Sequence, residues 1–288
     1  MRIFVTGGSG FIGRRLLPLL HNHDLLCLEH NNLPEAGDRS VQTVVGDLAY
    51  PQSYHDELRR FMPDCCVHLA WGGLPDYSFD NCIENLADGL KLVNQLMGLG
   101  CRRVVAAGSC WEYGELTGEQ KESASGGELS LFAEHKQSMQ RISQQYCKSA
   151  GAAFVWGRVF FSYGPGQRNA SLMPSTYSNL KRGISPLIQN PAAVNDFVHV
   201  DDVAAAFRIL VEAETGSGIF NIGSGRPTPV WKVVNHVAES MSLPPVYPEI
   251  SPEACGVWAN TVKMRALGWK RQYTLAQGIA QTIRALEA

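Results

Sequence analysis

The chain has 288 residues, 45% of them apolar. That suits about two domains, or one large α/β unit with an appendage, and a core built without disulfide staples. Lys and Arg number 25 against 27 Asp and Glu, a formal net charge of −2, which excludes a general nucleic-acid binder with its basic excess. No apolar run approaches the roughly 20 residues of a spanning helix, so no membrane partner is expected. Met1 to Thr6 reads as a strand rather than a signal peptide. The eight Cys form no zinc-type CxxC pairs and read as reduced thiols of a cytoplasmic protein.

In chain order, strands are predicted at Arg2–Thr6, Leu25–Glu29, Val41–Gly46, Cys65–Ala70, Arg103–Ala107 and Ala153–Val159. Helices are predicted at Phe11–His21, Ile83–Leu99 and Ala133–Ser149. This βαβ alternation implies an α/β fold of the Rossmann type, a doubly wound parallel sheet with helices on both faces. Beyond Tyr163 the pattern becomes irregular and Gly and Pro recur, so a smaller C-terminal substrate lobe is expected, mainly 166–288. Helices at Asp202–Glu212 and Val230–Met241 break that irregularity, and 195–222 is assigned back to the first domain, 1–165. The acids Asp201 and Asp202 read as caps of the helix that follows them.

The strongest motif runs from Thr6 to Gly13, after a strand and into a helix. Gly7 permits a tight turn, Gly10 lets the backbone approach a pyrophosphate, and Gly13 lets the helix lie close to the sheet. Free N–H groups and a positive dipole end then face the phosphates, with Ser9, Phe11 and Ile12 in the same loop. Glu29 ends the second strand, where a carboxylate accepts from ribose hydroxyls and repels a 2′-phosphate. NAD is therefore the expected cofactor and NADP the alternative, with His30, Asn31 and Asn32 able to soften the preference. Asp47, followed by Leu48, is placed either to meet the adenine edge or simply to shape a turn.

These residues resemble the extended short-chain dehydrogenase/reductase family of sugar-nucleotide epimerases, dehydratases and reductases. The loop resembles the family's TGxxGxxG, and Gly46-Asp47-Leu48 its adenine turn. His68-Leu69-Ala70-Trp71 resembles the HLAA segment that lies along the cofactor, and Gly108 to Gly114 the SSSxxVYG segment after Ala107. Val159 to Gly166, Asp196 to Ala204, Phe220 to Gly225 and the Leu267-Gly268-Trp269 triplet resemble PFNVYGPG, DFVHVDDVA, FNIGSG and LGW. The resemblance covers nearly the whole chain. It implies a homodimer through the two long helices at Ile83–Leu99 and Ala133–Ser149.

It also implies a Ser/Thr, Tyr and Lys site, in which Tyr exchanges a proton and Lys binds the nicotinamide ribose and lowers the Tyr pKa. Ser109 and Lys136 match, Lys136 lying 22 residues before Arg158. The Tyr position, one helical turn before Lys136, holds Phe132, and Tyr146 offers no better register because Ala150 follows it four places on. Three readings stay open. Another acid serves (Cys110, Glu134, His135 or a water on Ser109), or the protein is a cofactor-binding or sensor protein that has lost its chemistry, or Phe132 is an engineered substitution.

Cys110 and Trp111 stand where the family's dehydratases carry Asp-Glu, which disfavours water elimination. Asn195 replaces one phosphate-binding Arg, and the stretch from Ser251 to Trp258 contains no Arg. Arg168, Lys181, Arg182 and above all Arg226 are the remaining candidates for an anionic substrate, and Phe161 replaces a polar contact. Trp71, Trp111, Phe132, Phe160 and Phe161 read as an aromatic pocket or as ordinary core. His68 reads as a satisfied strand residue, and no metal site is expected. The reading is an NAD(P)-dependent reductase or epimerase acting on a small sugar-like or nucleotide-linked substrate.

Overall fold

The computed structural model describes residues 1–30, 41–214, 216–251 and 255–288; Asn31, Asn32 and positions 252–254 of the Arg-free stretch lie outside the described residues. The elements are β1 (Arg2–Thr6), α1 (Gly13–Leu16), β2 (Asp24–Glu29), β3 (Val41–Val45), α2 (His55–Phe61), β4 (Cys65–His68), α3 (Phe79–Gly98) and β5 (Arg103–Ser109). There follow β6 (Gly118–Gln120), α4 (Leu131–Ser149), β7 (Ala153–Val159), β8 (Phe161–Tyr163), α5 (Leu172–Lys181), β9 (Val194–His199) and α6 (Val200–Glu212). The chain closes with β10 (Gly218–Ile222), β11 (Pro227–Pro229), α7 (Val230–Ser240), β12 (Val257–Ala259), α8 (Val262–Ala266) and α9 (Leu275–Glu287). Two compact units result. The first is Met1–Gly114, Gly127–Arg158 and Ala204–Phe220; the second is Glu115–Gly126, Val159–Val203 and Asn221–Ala288.

The first unit is built on a sheet of order β10-β7-β5-β4-β1-β2-β3, in which β1 pairs parallel with both β2 and β4, β2 with β3, and β4 with β5. Its strands read as near-continuous apolar runs because helices cover them. Phe4, Leu26, Cys66, Val104 and Phe154 pack with Leu92 and Leu96 of α3 and Met139 of α4. Strand order reverses between β1 and β4, and a crevice at the carboxyl ends of such strands is where open α/β sheets bind ligands. The loop after β1 and the segment after β4 both lie there.

Most element ends shift by one or two residues from the sequence reading, and two helices differ by more. The helix expected over Phe11–His21 is α1 followed by a tighter 3-10 turn at Leu17–Leu20. Pro18 has no N–H to donate back into the helix, so the regular ladder stops. Helix α3 begins at Phe79, not Ile83, because the Ser78 hydroxyl accepts from the Asn81 N–H and caps it there.

In the second unit β9 pairs antiparallel with β11 and parallel with β8, and β12 pairs with β6. Tyr163, Met173, Val233, Val237, Ile279 and Ile283 form its core. Asp196, fully buried, accepts from the N–H groups of Ser224, Gly225 and Ala259 at 2.7, 2.8 and 3.0 Å, tying three segments together. Asp202 does not cap α6 as expected: it lies inside the helix, whose first residue is Val200. Its carboxylate accepts instead from the N–H groups of Gln272 and Tyr273, at 2.8 and 3.2 Å.

Candidate functional site

The glycine loop leaves β1 through Gly7 at φ +75°, a conformation that side chains with a Cβ rarely adopt. A Cβ on Gly7 would meet Ala70 N at 2.7 Å, and one on Gly13 would meet Gly7 O and Gly8 O. These two glycines are therefore demanded by the fold itself. Gly10 is different. It is exposed, and a Cβ there would meet only the backbone of Gly7, its O at 3.1 Å and its C at 3.9 Å. That open face is the cradle a phosphate-bearing ligand needs, at the N-terminus that opens α1. Ser9 is exposed, Phe11 and Ile12 are half-buried, and Arg14 folds back to donate from Nη2 to Ser9 O at 3.1 Å.

Glu29 is only 4% exposed at the end of β2, and its Oε1 has no hydrogen-bond partner among the described residues. A buried carboxylate oxygen left unpaired is costly unless a ligand satisfies it. Trp71 Nε1 is likewise shielded and unpartnered, and Leu69 and Ala70 lie along the loop, Leu69 N–H donating to Thr6 O at 3.0 Å. These features fit a dinucleotide with ribose hydroxyls toward Glu29. Asp47 serves as the turn residue: Oδ1 accepts from Ala49 N–H at 2.9 Å, while Oδ2 lies 3.3 Å from Nδ1 of the exposed His30. Leu48 packs at the edge of the apolar core. Glu29→Ala should therefore narrow the preference for NAD over NADP; binding isotherms for both cofactors check this, and unchanged discrimination would remove Glu29 from the ribose site.

Ser109 ends β5. Its N–H donates to Glu112 Oε1 at 2.7 Å, and its Oγ accepts from Trp111 N–H at 3.2 Å, which leaves the hydroxyl proton to be donated outward. Glu112 was not singled out from the sequence, yet it anchors the segment. It is 1% exposed and accepts from Arg158 Nε at 2.8 Å and from Trp156 Nε1 at 2.9 and 3.0 Å. A lone acid within an aromatic run just after a strand was the available signal. Gln137 Nε2 of α4 also donates to Glu112 O, at 2.7 Å.

Lys136, on α4, is 8% exposed; its Nζ donates to Ala107 O at 3.0 Å and lies 3.9 Å over the Trp71 ring. Burial pushes its pKa down to about 8, against the opposing pull of Glu112 and Cys82. His68 is neutral: burial first, then the Lys136 charge, push it down to about 3, and its Nδ1 lies 2.7 Å from Thr6 Oγ1. Phe132 sits one turn before Lys136, 8% exposed, with the rings of Trp71, Tyr77 and Trp111 at 5.2, 5.2 and 5.6 Å. Tyr77, absent from the sequence reading, completes this cluster. Cys110 is buried, Glu134 is exposed, and His135 Nδ1 pairs with Leu131 O while its ring packs edge-on against Phe79.

The structure thus gathers Trp71, Ala107, Ser109, Trp111, Phe132 and Lys136 in the first unit. Phe161, Arg168 and Arg226 belong to the second. There the Phe161 ring packs tilted against Phe197, with centroids 5.9 Å apart, and Arg168 and Arg226 are exposed. Arg271, which the sequence reading missed, lies close enough to Arg226 that, after burial, the Arg226 charge holds its pKa down.

Residues 3–223 match the NAD dependent epimerase/dehydratase family. The chain is 23% identical over 310 residues to dTDP-4-dehydro-6-deoxyglucose reductase of Escherichia coli, the alignment covering 99% of this chain and 97% of that protein. Among solved structures, UDP-glucose 4-epimerase of Thermus thermophilus, complexed with NAD, aligns with a TM-score of 0.87 at 23% identity, over 100% of this chain and 99% of that one. MoeE5 in complex with UDP-glucuronic acid and NAD aligns with a TM-score of 0.85 at 26% identity, over 99% and 98%.

Proposed function

We propose that this chain, which belongs to the NAD dependent epimerase/dehydratase family, uses NAD to oxidise or reduce a hydroxyl-bearing or keto carbon of a nucleotide-linked sugar. One observation carries the reading. The Lys136 ammonium is tied to the carbonyl of Ala107, two residues before Ser109 on the same strand, so a hydroxyl donor and a buried cation are held by one rigid element. NAD, when bound, supplies the hydride acceptor or donor. The chain does the rest: the Gly7–Gly13 loop holds the pyrophosphate, Glu29 the adenosine ribose, and Lys136 the nicotinamide ribose. Ser109 hydrogen-bonds the reacting oxygen, as a preorganised donor should. Arg226 and Arg168, both exposed, are the groups assigned to the substrate's phosphates.

The relatives' names supply the probes. NADH with dTDP-4-dehydro-6-deoxyglucose, and NAD with UDP-glucose or UDP-glucuronic acid, are followed by nicotinamide absorbance and by chromatography of the sugar products. Oxidation of NADH, or formation of an epimer or keto sugar, is expected. A second reading, a cofactor-binding protein without turnover, rests on Phe132, whose ring has no proton to exchange; it requires NAD to bind while every probe is returned unchanged.

Self-association belongs to the same reading. Helices α3 and α4 carry exposed Phe79, Ile83, Leu131, Ile142 and Tyr146. Solution scattering at micromolar concentration should give the mass of a dimer, and a monomer mass would contradict it.

A further inference from the structure

We propose that Tyr77 supplies the proton that the family's helix position lacks, its phenol replacing the one missing at Phe132. This rests on the NAD-dependent redox reading above. Three rings surround Phe132, and of these only Tyr77 bears a hydroxyl: Trp71 and Trp111 have no acid to give. The Tyr77 ring also packs 5.1 Å from Trp111, whose backbone N–H donates to Ser109 Oγ, so it belongs to the same group of residues as the oxygen-binding hydroxyl.

The other phenols of the first unit lie elsewhere. Tyr54 and Tyr113 are fully buried, Tyr54 in the core beside Phe4 and Tyr113 under Arg158. The Tyr146 hydroxyl donates to Asn94 Oδ1 at 2.7 Å, and Tyr50 lies in the turn after Asp47. Tyr77 is 36% exposed and open to a substrate.

Its backbone is held in place. Asn85 Oδ1 accepts from Gly72 N–H at 2.6 Å, and Asn81 Nδ2 donates to Gly72 O and Asp76 O at 3.2 and 2.7 Å. Asp76 Oδ1 accepts from Ser78 N–H at 2.8 Å. Two side chains of α3 therefore fix both ends of the segment that presents the ring. A proton donor must sit in a defined place to contribute its typical 10²–10⁴-fold. In reduction the carbonyl carbon takes a hydride from the reduced nicotinamide and the carbonyl oxygen takes the proton from the Tyr77 hydroxyl. The phenolate so formed recovers a proton from solvent; oxidation of the alcohol runs the same transfers backward.

The test compares wild type, Tyr77→Phe, Phe132→Tyr and the double variant in NADH oxidation with dTDP-4-dehydro-6-deoxyglucose and in NAD reduction with UDP-glucose. Tyr77→Phe should lose roughly 10²-fold or more in kcat with unchanged NADH affinity, and Phe132→Tyr should raise kcat far more in the Tyr77→Phe background, where it recovers much of the loss, than in wild type. A Tyr77→Phe variant as fast as wild type overturns the inference and leaves the redox reading standing. A wild type that binds NAD and turns over neither probe overturns both. A readout that needs no turnover is nitration by tetranitromethane, mapped by peptide mass. NADH should slow nitration of Tyr77 and not of Tyr146 at the far end of α4, and equal nitration of Tyr77 with and without NADH would overturn the inference.

Discussion

Replacing Glu112 with alanine should destabilise the first unit by about 3–5 kcal/mol, the range for breaking one side of a buried ion pair. The carboxylate is 1% exposed and serves Arg158, Trp156 and the Ser109 N–H together. Without it the guanidinium and the indole N–H lose their shared acceptor in a place water does not reach, and an unpaired buried donor costs more than the bond it made was worth. Glu112→Gln keeps an acceptor oxygen and should cost less. Guanidinium unfolding checks this through the midpoint at unchanged slope. A loss below about 1 kcal/mol would show that the carboxylate is not the anchor of the Ser109 segment.

Lys136→Met should cut turnover sharply while raising stability at neutral pH. The lost activity is expected to be roughly 10²–10⁴-fold, since in the proposed function the ammonium would both hold the ribose and support the proton transfer. The gain follows from burial. A lysine pushed down from 10.5 to about 8 is held in the fold against the preference of its charged form, a cost of at most about 3 kcal/mol. That cost is fully present below pH 8. Between about 8 and 10.5 the unfolded chain keeps the proton that the folded chain has released, so stability rises with pH across this window. Buried thiols pull the other way: Cys27 and Cys65 are pushed up to about 12 and Cys101 to about 11 by burial, so unfolding lets them ionise. The informative quantity is therefore wild type minus variant. The variant should be the more stable at pH 7, with the difference closing by pH 10.5; an advantage independent of pH would mean that the ammonium bears no burial cost.

The strand pattern and the glycine loop were legible because each rests on local chemistry. Apolar runs between turns mark buried strands, and Gly13 is forced by the approach of backbone only a few residues earlier in the same loop, while Gly7 is also needed for its positive φ. Ser109 and Lys136 were legible through motif and spacing, and the structure brings both to β5, Lys136 through Ala107 O. Glu112 and Tyr77 were not. The partners of Glu112 lie 44 and 46 residues away on β7, and a sequence shows an acid without showing what closes over it. Tyr77 reaches Phe132 across 55 residues through a segment pinned by Asn81 and Asn85, whose hydrogen bonds have no periodicity to read. Asp202 looked like a cap because acids favour first turns, but its carboxylate is drawn to backbone N–H groups 70 residues on.

Calorimetric titration of NAD into the wild-type protein and into Gly10→Val tests the central assignment most directly. Gly10 is the right position because it is exposed and a Cβ there would meet only the backbone of Gly7, at 3.1 Å, which has to give by a few tenths of an ångström. The wild type should give a saturable single-site isotherm, and Gly10→Val should melt like wild type without ligand yet show no binding heat. An isotherm from Gly10→Val matching that of wild type, or a wild type that takes up no NAD, would contradict the placement of the dinucleotide on the Gly7–Gly13 loop and the redox function built on it.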